Sequence, residues 1–254
     1  MSKPQILISN DDGIHAPGIL ALIEAALEFG EVTVVAPDSA QSGMGHAISI
    51  AKPLRIYKEA LPHALTGYAI NGTPADCVKL ATGVIMEQTP DLILSGVNHG
   101  ANSSVSAIYS GTMSAAREGS LQGIPSVGFS LLNYSHEADM STAIAAARAV
   151  IGTCLEQGLA PGACLNVNIP DLPLAELKGY HITRHAMGRW IEEFAEREDP
   201  YGRKYYWLTG SFSSDDIVKG TDVWALENGY VSVAPMTRDM TDYPNLEAFQ
   251  DWKF

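Results

Sequence analysis

The chain has 254 residues, enough for one large α/β domain or two small ones. Its composition, 46% hydrophobic and 18% charged, suits a globular protein with a real core and argues against disorder. With 29 acidic against 16 basic residues the net charge is −13, the wrong sign for a protein that grips duplex nucleic acid. No run approaches the roughly 20 apolar residues needed to cross a bilayer, and Cys77, Cys154 and Cys164 lie far apart without CxxC spacing. The apolar run after Lys3 is too short for a secretion signal, so a cytoplasmic protein without membrane contact is expected.

In chain order, QILIS (5–9) reads as a buried strand, and 17–29 as a helix with Ile19, Leu22, Ile23, Ala26 and Leu27 on one face and Gly30 as its stop. VTVVA (32–36) is a second strand, about 74–86 a helix, and DLILS (91–95) a third strand. Residues 111–122 form a helix of small residues, PSVGFS (125–130) a strand, 139–151 a helix, and CLNVNIP (164–170) a further strand. Short, non-alternating Val/Ile/Leu strands joined by helices indicate a mainly parallel sheet covered on both faces. The expectation is therefore a doubly wound, Rossmann-like α/β core over about 1–170. Tyr, Trp, Arg and Glu dominate 180–210, which predicts an aromatic β-hairpin within an extension of about 180–230. A helix-like TDVWALENG and a strand YVSVAP (230–235) precede a tail, about 236–254, that carries Tyr243, Leu246, Phe249, Trp252 and Phe254. So much apolar surface on a terminus predicts packing, either back on its own subunit or, as the aromatic content favours, against a second one.

Open α/β sheets bind ligands beyond the carboxyl ends of their strands. Three polar, glycine-bearing loops fall there: 9–13 (SNDDG), 37–45 (PDSAQSGMG) and 96–102 (GVNHGAN). Asp-Asp-Gly after a strand suits an ordinary turn, but two adjacent carboxylates in a crevice repel unless a cation joins them. Ser42 and Asn98 add oxygen donors from the other two loops, and an all-oxygen set points to a hard divalent ion. Beyond Tyr109, Ser110-Gly111-Thr112 runs into a helix N-terminus, where free amides and hydroxyls either cap the helix or hold an anion. Gly43 is either a tight turn or a place where backbone approaches a ligand. His46 and His99 lie in the same loops. No GxxxxGK[ST] loop, GxGxxG fingerprint, GxSxG elbow, HExxH helix or Asp-x-Asp pair occurs.

Four segments together, ILISNDDGIHAPGI, PDSAQSG (37–43), SGVNHGAN (95–102) and YSGTMSAA (109–116), resemble the SurE family of survival-protein nucleotidases in order and spacing. The resemblance spans the whole chain; Met113 stands where many members carry valine. It implies a Rossmann-like core with a protruding hairpin and a C-terminal dimerisation arm, assembling as a dimer or tetramer. It also implies one divalent metal ion per subunit, Mg²⁺ or Mn²⁺, held by Asp11, Asp12, Ser42 and Asn98. The implied reaction is hydrolysis of nucleoside 5′- and 3′-monophosphates, with polyphosphate as a further substrate. Asp11, Asp12 and Asn98 are thereby the catalytic candidates, and Gly43, Asn102, Ser110, Gly111 and Thr112 the phosphate-binding ones. A metal-dependent nucleotide-sugar glycosyltransferase and a non-catalytic nucleotide-binding protein are the rival readings.

Overall fold

The computed structural model describes residues 3–250 and 252–253. The Val/Ile/Leu runs become the inner strands of a nine-stranded sheet: β1 (Gln5–Ser9), β2 (Glu31–Pro37), β3 (Ile56–Ala60), β4 (Thr66–Ile70), β5 (Leu92–His99), β6 (Ser126–Leu131), β7 (Cys164–Ile169), β8 (Tyr180–Ile182) and β11 (Val231–Met236). Their order is β3-β4-β2-β1-β5-β6-β7-β11-β8. The six from β4 to β7 are parallel, whereas β3 pairs antiparallel with β4 and β11 antiparallel with β7.

Alternate residues of the buried strands feed opposite faces, as the two-residue strand period requires. Ile6, Ile8, Val34, Leu92 and Leu94 pack on one side under α1 (Pro17–Ala26) and α5 (Ser141–Gln157). Leu7, Val35 and Ile93 pack on the other with residues of α2 (Pro74–Leu80) and α4 (Gly111–Leu121). A short α3 (Ser106–Tyr109) precedes α4. Helices on both faces make the sheet doubly wound, as the sequence indicates. The chain leaves β1 toward β2 on one side and returns to β5 on the other, so the crevice between the carboxyl ends of β1 and β5 is the switch point.

The sheet does not stop at the expected boundary near 170: β8 and β11 continue it, with α6 (Asp222–Glu227) between them in sequence. β3 and β4 are additions, because IYKEA is an exposed edge strand and TGYAI carries a glycine inside its run. α1 ends at Ala26 and α5 runs on to Gln157, beyond the expected 151. The aromatic hairpin is present, with β9 (Gly188–Glu198) paired antiparallel to β10 (Lys204–Ser214) as a separate two-stranded sheet. In the tail α7 (Tyr243–Phe249) has no buried residue, and Tyr243, Leu246, Phe249 and Trp252 are all largely exposed; Phe254 lies outside the described residues. No described helix is long and apolar enough to cross a membrane.

Candidate active site

The site begins with a turn. Asn10, buried at the end of β1, donates from Nδ2 to the Gly13 carbonyl at 2.9 Å and accepts the Gly13 N–H at Oδ1 at 3.2 Å. This Asx-type closure, with Gly13 at φ +104°, aims Asp11 and Asp12 into the switch-point crevice. The Gln41 N–H donates to the Asp11 carbonyl and the Gly45 N–H to that of Tyr109, which brings the 38–50 loop over the pair. From the other side, β5 shifts register against β6 between Ser95 and Asn98, with Gly96 at φ +119°, and delivers Asn98. Asn98 Nδ2 donates to the Gly100 carbonyl at 2.7 Å, which leaves its Oδ1 as the free oxygen.

Asp11, Asp12, Ser42, Gly43, Asn98, Asn102 and Ser110 thus line one cavity of about 400 Å³. The other two sequence candidates stand behind Asp11. Gly111 abuts it so closely that a Cβ there would lie 2.5 Å from the Asp11 Cβ. Thr112 is fully buried and donates its hydroxyl to Asp11 Oδ1. The anion that the N-terminus of α4 faces inside the protein is therefore Asp11 itself. Ser110 caps α4 by accepting the Met113 N–H at 3.0 Å. Asn102 commits its backbone N–H to Asn168 Oδ1 and an amide N–H to Ser130 Oγ, both at 2.8 Å, so it is held by a buried polar network that also includes Asn166.

The electrostatics are those of a site short of positive charge. Burial drives the Asp11 carboxyl up to about 6, and the neighbouring charge of Asp12 adds to this against the hydrogen bonds from Thr112. Asp12 is also raised, by burial, while the His99 ring beside it works in the opposite direction. Asp12 Oδ2 is buried without a hydrogen-bond partner. A buried carboxylate oxygen with nothing to bond costs on the order of several kcal/mol unless a cation meets it. Among the described residues no third His, Cys, Asp or Glu joins the two carboxylates as a metal-binding cluster. Ser42 and Asn98 in the same cavity add neutral oxygens, and with the two carboxylates they make a set that fits Mg²⁺ or Mn²⁺.

These observations identify the relatives. The family model described as survival protein SurE matches residues 6–192. The chain belongs to the SurE family. It is 52% identical to the 5'-nucleotidase SurE of Cytophaga hutchinsonii, covering 100% of this chain and 99% of that one. It is 51% identical to the protein of the same name from Flavobacterium psychrophilum, over 99% and 98% of the two chains. Among solved structures, the SurE protein of Aquifex aeolicus superposes with a TM-score of 0.83 at 40% identity, over 96% of this chain and 98% of that one. The α/β fold is accordingly shared with a SurE protein of known structure.

Sequence reasoning missed the supports of the site. Thr112 meets Asp11 across 101 residues of chain, a pairing no local pattern encodes. Asn166 and Asn168, alternate residues of a fully covered strand, did carry a signal: amides in such a strand must belong to a polar network. Glu118 was also overlooked. Buried on α4, it accepts from His46 Nε2 at 3.0 Å, Lys79 Nζ at 2.7 Å and Gln122 Nε2 at 3.1 Å. Burial alone would raise its carboxyl, but these three donors outweigh it and hold the group at about 2. His46 belongs to the loop that carries Ser42, so Glu118 anchors that loop to α4 and α2.

A folded value of about 2 against an ordinary 4.5 means that Glu118 stabilises the fold above pH 4.5 and that this contribution is lost as pH falls toward 2. Glu118→Ala is expected to cost on the order of 3 kcal/mol, because it removes a buried acceptor from Lys79, His46 and Gln122 at once. Denaturant unfolding at pH 7 and pH 3 checks this, since the gap between wild type and variant should narrow at the lower pH.

Proposed function

We propose that the chain is a divalent-metal-dependent phosphomonoesterase that hydrolyses nucleoside 5′- and 3′-monophosphates, and terminal phosphates of polyphosphate as well. The observation that carries this is the pair Asp11–Asp12: adjacent, Asp11 buried and Asp12 half-buried, both raised, with an orphaned carboxylate oxygen on Asp12 in the switch-point cavity. Relatives at about half identity over the full chain, named 5'-nucleotidase, support the substrate class. Asp11, Asp12, Ser42 and Asn98 would hold one Mg²⁺ or Mn²⁺ per subunit. When bound, such an ion neutralises phosphoryl charge and acidifies a water at neutral pH.

The chain's own groups do the positioning. Thr112 fixes the orientation of Asp11, and Gly111 lets the first turn of α4 approach it. Ser110 and Asn102 face the cavity where the spreading charge of a phosphoryl group must be met by donors. Gly43, exposed and at φ +72°, presents backbone rather than a side chain on the loop opposite. Three free, buried cysteines fit a reducing, cytoplasmic setting.

The test is phosphate release from nucleoside monophosphates and polyphosphate with Mg²⁺, with Mn²⁺ and with EDTA. Multiple turnovers without any acceptor exclude both the glycosyltransferase and the passive binder. No release from any nucleotide with either metal overturns the proposal.

The partner is a second copy of the chain. Tyr243, Leu246, Phe249 and Trp252 leave an apolar surface on the tail that the chain's own core does not cover. Burying each such side chain is worth roughly 1.5–3 kcal/mol. Deleting 240–254 is expected to lower the mass seen by light scattering, or to leave an insoluble protein. A soluble truncated protein of unchanged oligomeric mass would show that the arm is not part of the interface.

A further inference from the structure

The cavity that holds the carboxylates does not end at them. Tyr109 and Trp190 line it, and the same two rings line a second cavity of about 360 Å³ completed by Glu192, Leu208, Thr209 and Gly210 of the hairpin. The two spaces are therefore neighbours across an aromatic wall, one ending in the dicarboxylate and the other in the hairpin.

The Trp190 side of that wall is fixed in place. Trp190 Nε1 donates to Ser106 Oγ at 3.2 Å, and the ring meets Phe212 edge-on, with centroids 6.1 Å apart. The base of the hairpin is tied down by Asp222, fully buried, which accepts from the Ser104 N–H at 2.7 Å and from the Ala186 N–H and His185 Nδ1 at 2.8 Å. Gly188 is needed there, because a Cβ would lie 2.3 Å from the Phe212 ring. Trp190 and Tyr109 nevertheless remain 41% and 55% exposed. The anchored Trp190 ring and the Tyr109 ring beside it, both left open next to the dicarboxylate cavity, form a stacking platform, since every base has a π-face.

The rest of the second cavity selects further. Glu192 offers an acceptor only, and the Thr209 hydroxyl already donates to the Glu193 carbonyl at 3.1 Å. A ligand lying here must be flat, rich in hydrogen-bond donors and without negative charge of its own. Resting on the phosphomonoesterase reading above, we infer that this second cavity is the nucleoside subsite: the base stacks on Tyr109 and Trp190, and Glu192 accepts from an exocyclic amine or a ribose hydroxyl. A base with an exocyclic amine is preferred over one without.

The experiment compares AMP with ribose 5-phosphate, which carries the same phosphate without a base, and measures adenosine binding by calorimetry without metal. Trp190→Ala is expected to lower the AMP to ribose 5-phosphate ratio of kcat/KM about tenfold or more, and to weaken adenosine binding by a similar factor. Trp190→Phe should retain both, which shows that the loss is one of stacking and not of folding. An unchanged ratio, or equal adenosine binding by wild type and Trp190→Ala, overturns the subsite. If no ester yields phosphate while adenosine still binds through Trp190, the enzyme reading falls and the subsite stands.

Discussion

Replacing Asp11 with asparagine is expected to lower kcat/KM for AMP roughly a thousandfold while leaving the fold intact. The substitution is nearly isosteric, and the asparagine carbonyl can still accept the Thr112 hydroxyl, so the turn and the first turn of α4 keep their contact. What disappears is one of the two negative charges that oppose each other in the cavity. A thousandfold loss corresponds to about 4 kcal/mol of transition-state stabilisation, the scale of removing a charged metal ligand. Chelating the wild type should reproduce the loss, and adding back Mg²⁺ or Mn²⁺ should reverse it. Steady-state kinetics alongside circular dichroism separates lost chemistry from lost fold. Full activity of the wild type after exhaustive dialysis against EDTA would remove the metal from the account.

How much of this was legible in the residues follows from what each feature depends on. β1, β2, β5, β6 and β7 announce themselves because a strand buried on both faces must be largely apolar, as LIL at 92–94 is. β3 does not, because an exposed edge strand such as IYKEA carries no such constraint. β8 is three residues long and is held in the sheet only through its pairing with β11, about fifty residues onward. The strand-end rule located Asp11, Ser42 and Asn98 because topology alone fixes where the ends of parallel strands meet. It could not assign partners inside the site. Ser110, Gly111 and Thr112 read as either a helix cap or an anion site; Ser110 does cap α4, and the Thr112 hydroxyl reaches Asp11, brought there by the packing of α4 against β1's turn. The hairpin was visible as an aromatic segment, whereas Trp190 as a wall of the cavity depends on Asp222 and Ser104, far from it in sequence.

Stability should run opposite to activity. Asp11 has a folded pKa of about 6 against an ordinary 3.8, so the fold favours its protonated form. For a raised carboxyl the stabilising contribution is fully present below 3.8 and is lost as pH rises through 6. The whole effect is on the order of 3 kcal/mol, of which about 1.4 kcal/mol falls between pH 5 and pH 7.5. That window is chosen because Glu118 and Asp216, held at about 2, stay ionised across it and contribute no slope. Metal-free wild type is therefore expected to melt a few degrees higher at pH 5 than at pH 7.5. Millimolar Mn²⁺ should recover the difference at pH 7.5, because a cation relieves the same repulsion that a proton does. Asp11→Asn removes the titrating group, so its metal-free form should lose most of this pH dependence and match or exceed the wild type at pH 7.5. The residual slope in that variant includes Asp12, whose carboxyl burial also raises. A metal-free wild type that melts no higher at pH 5 than at pH 7.5, relative to Asp11→Asn, would mean that the empty dicarboxylate site stores no such strain.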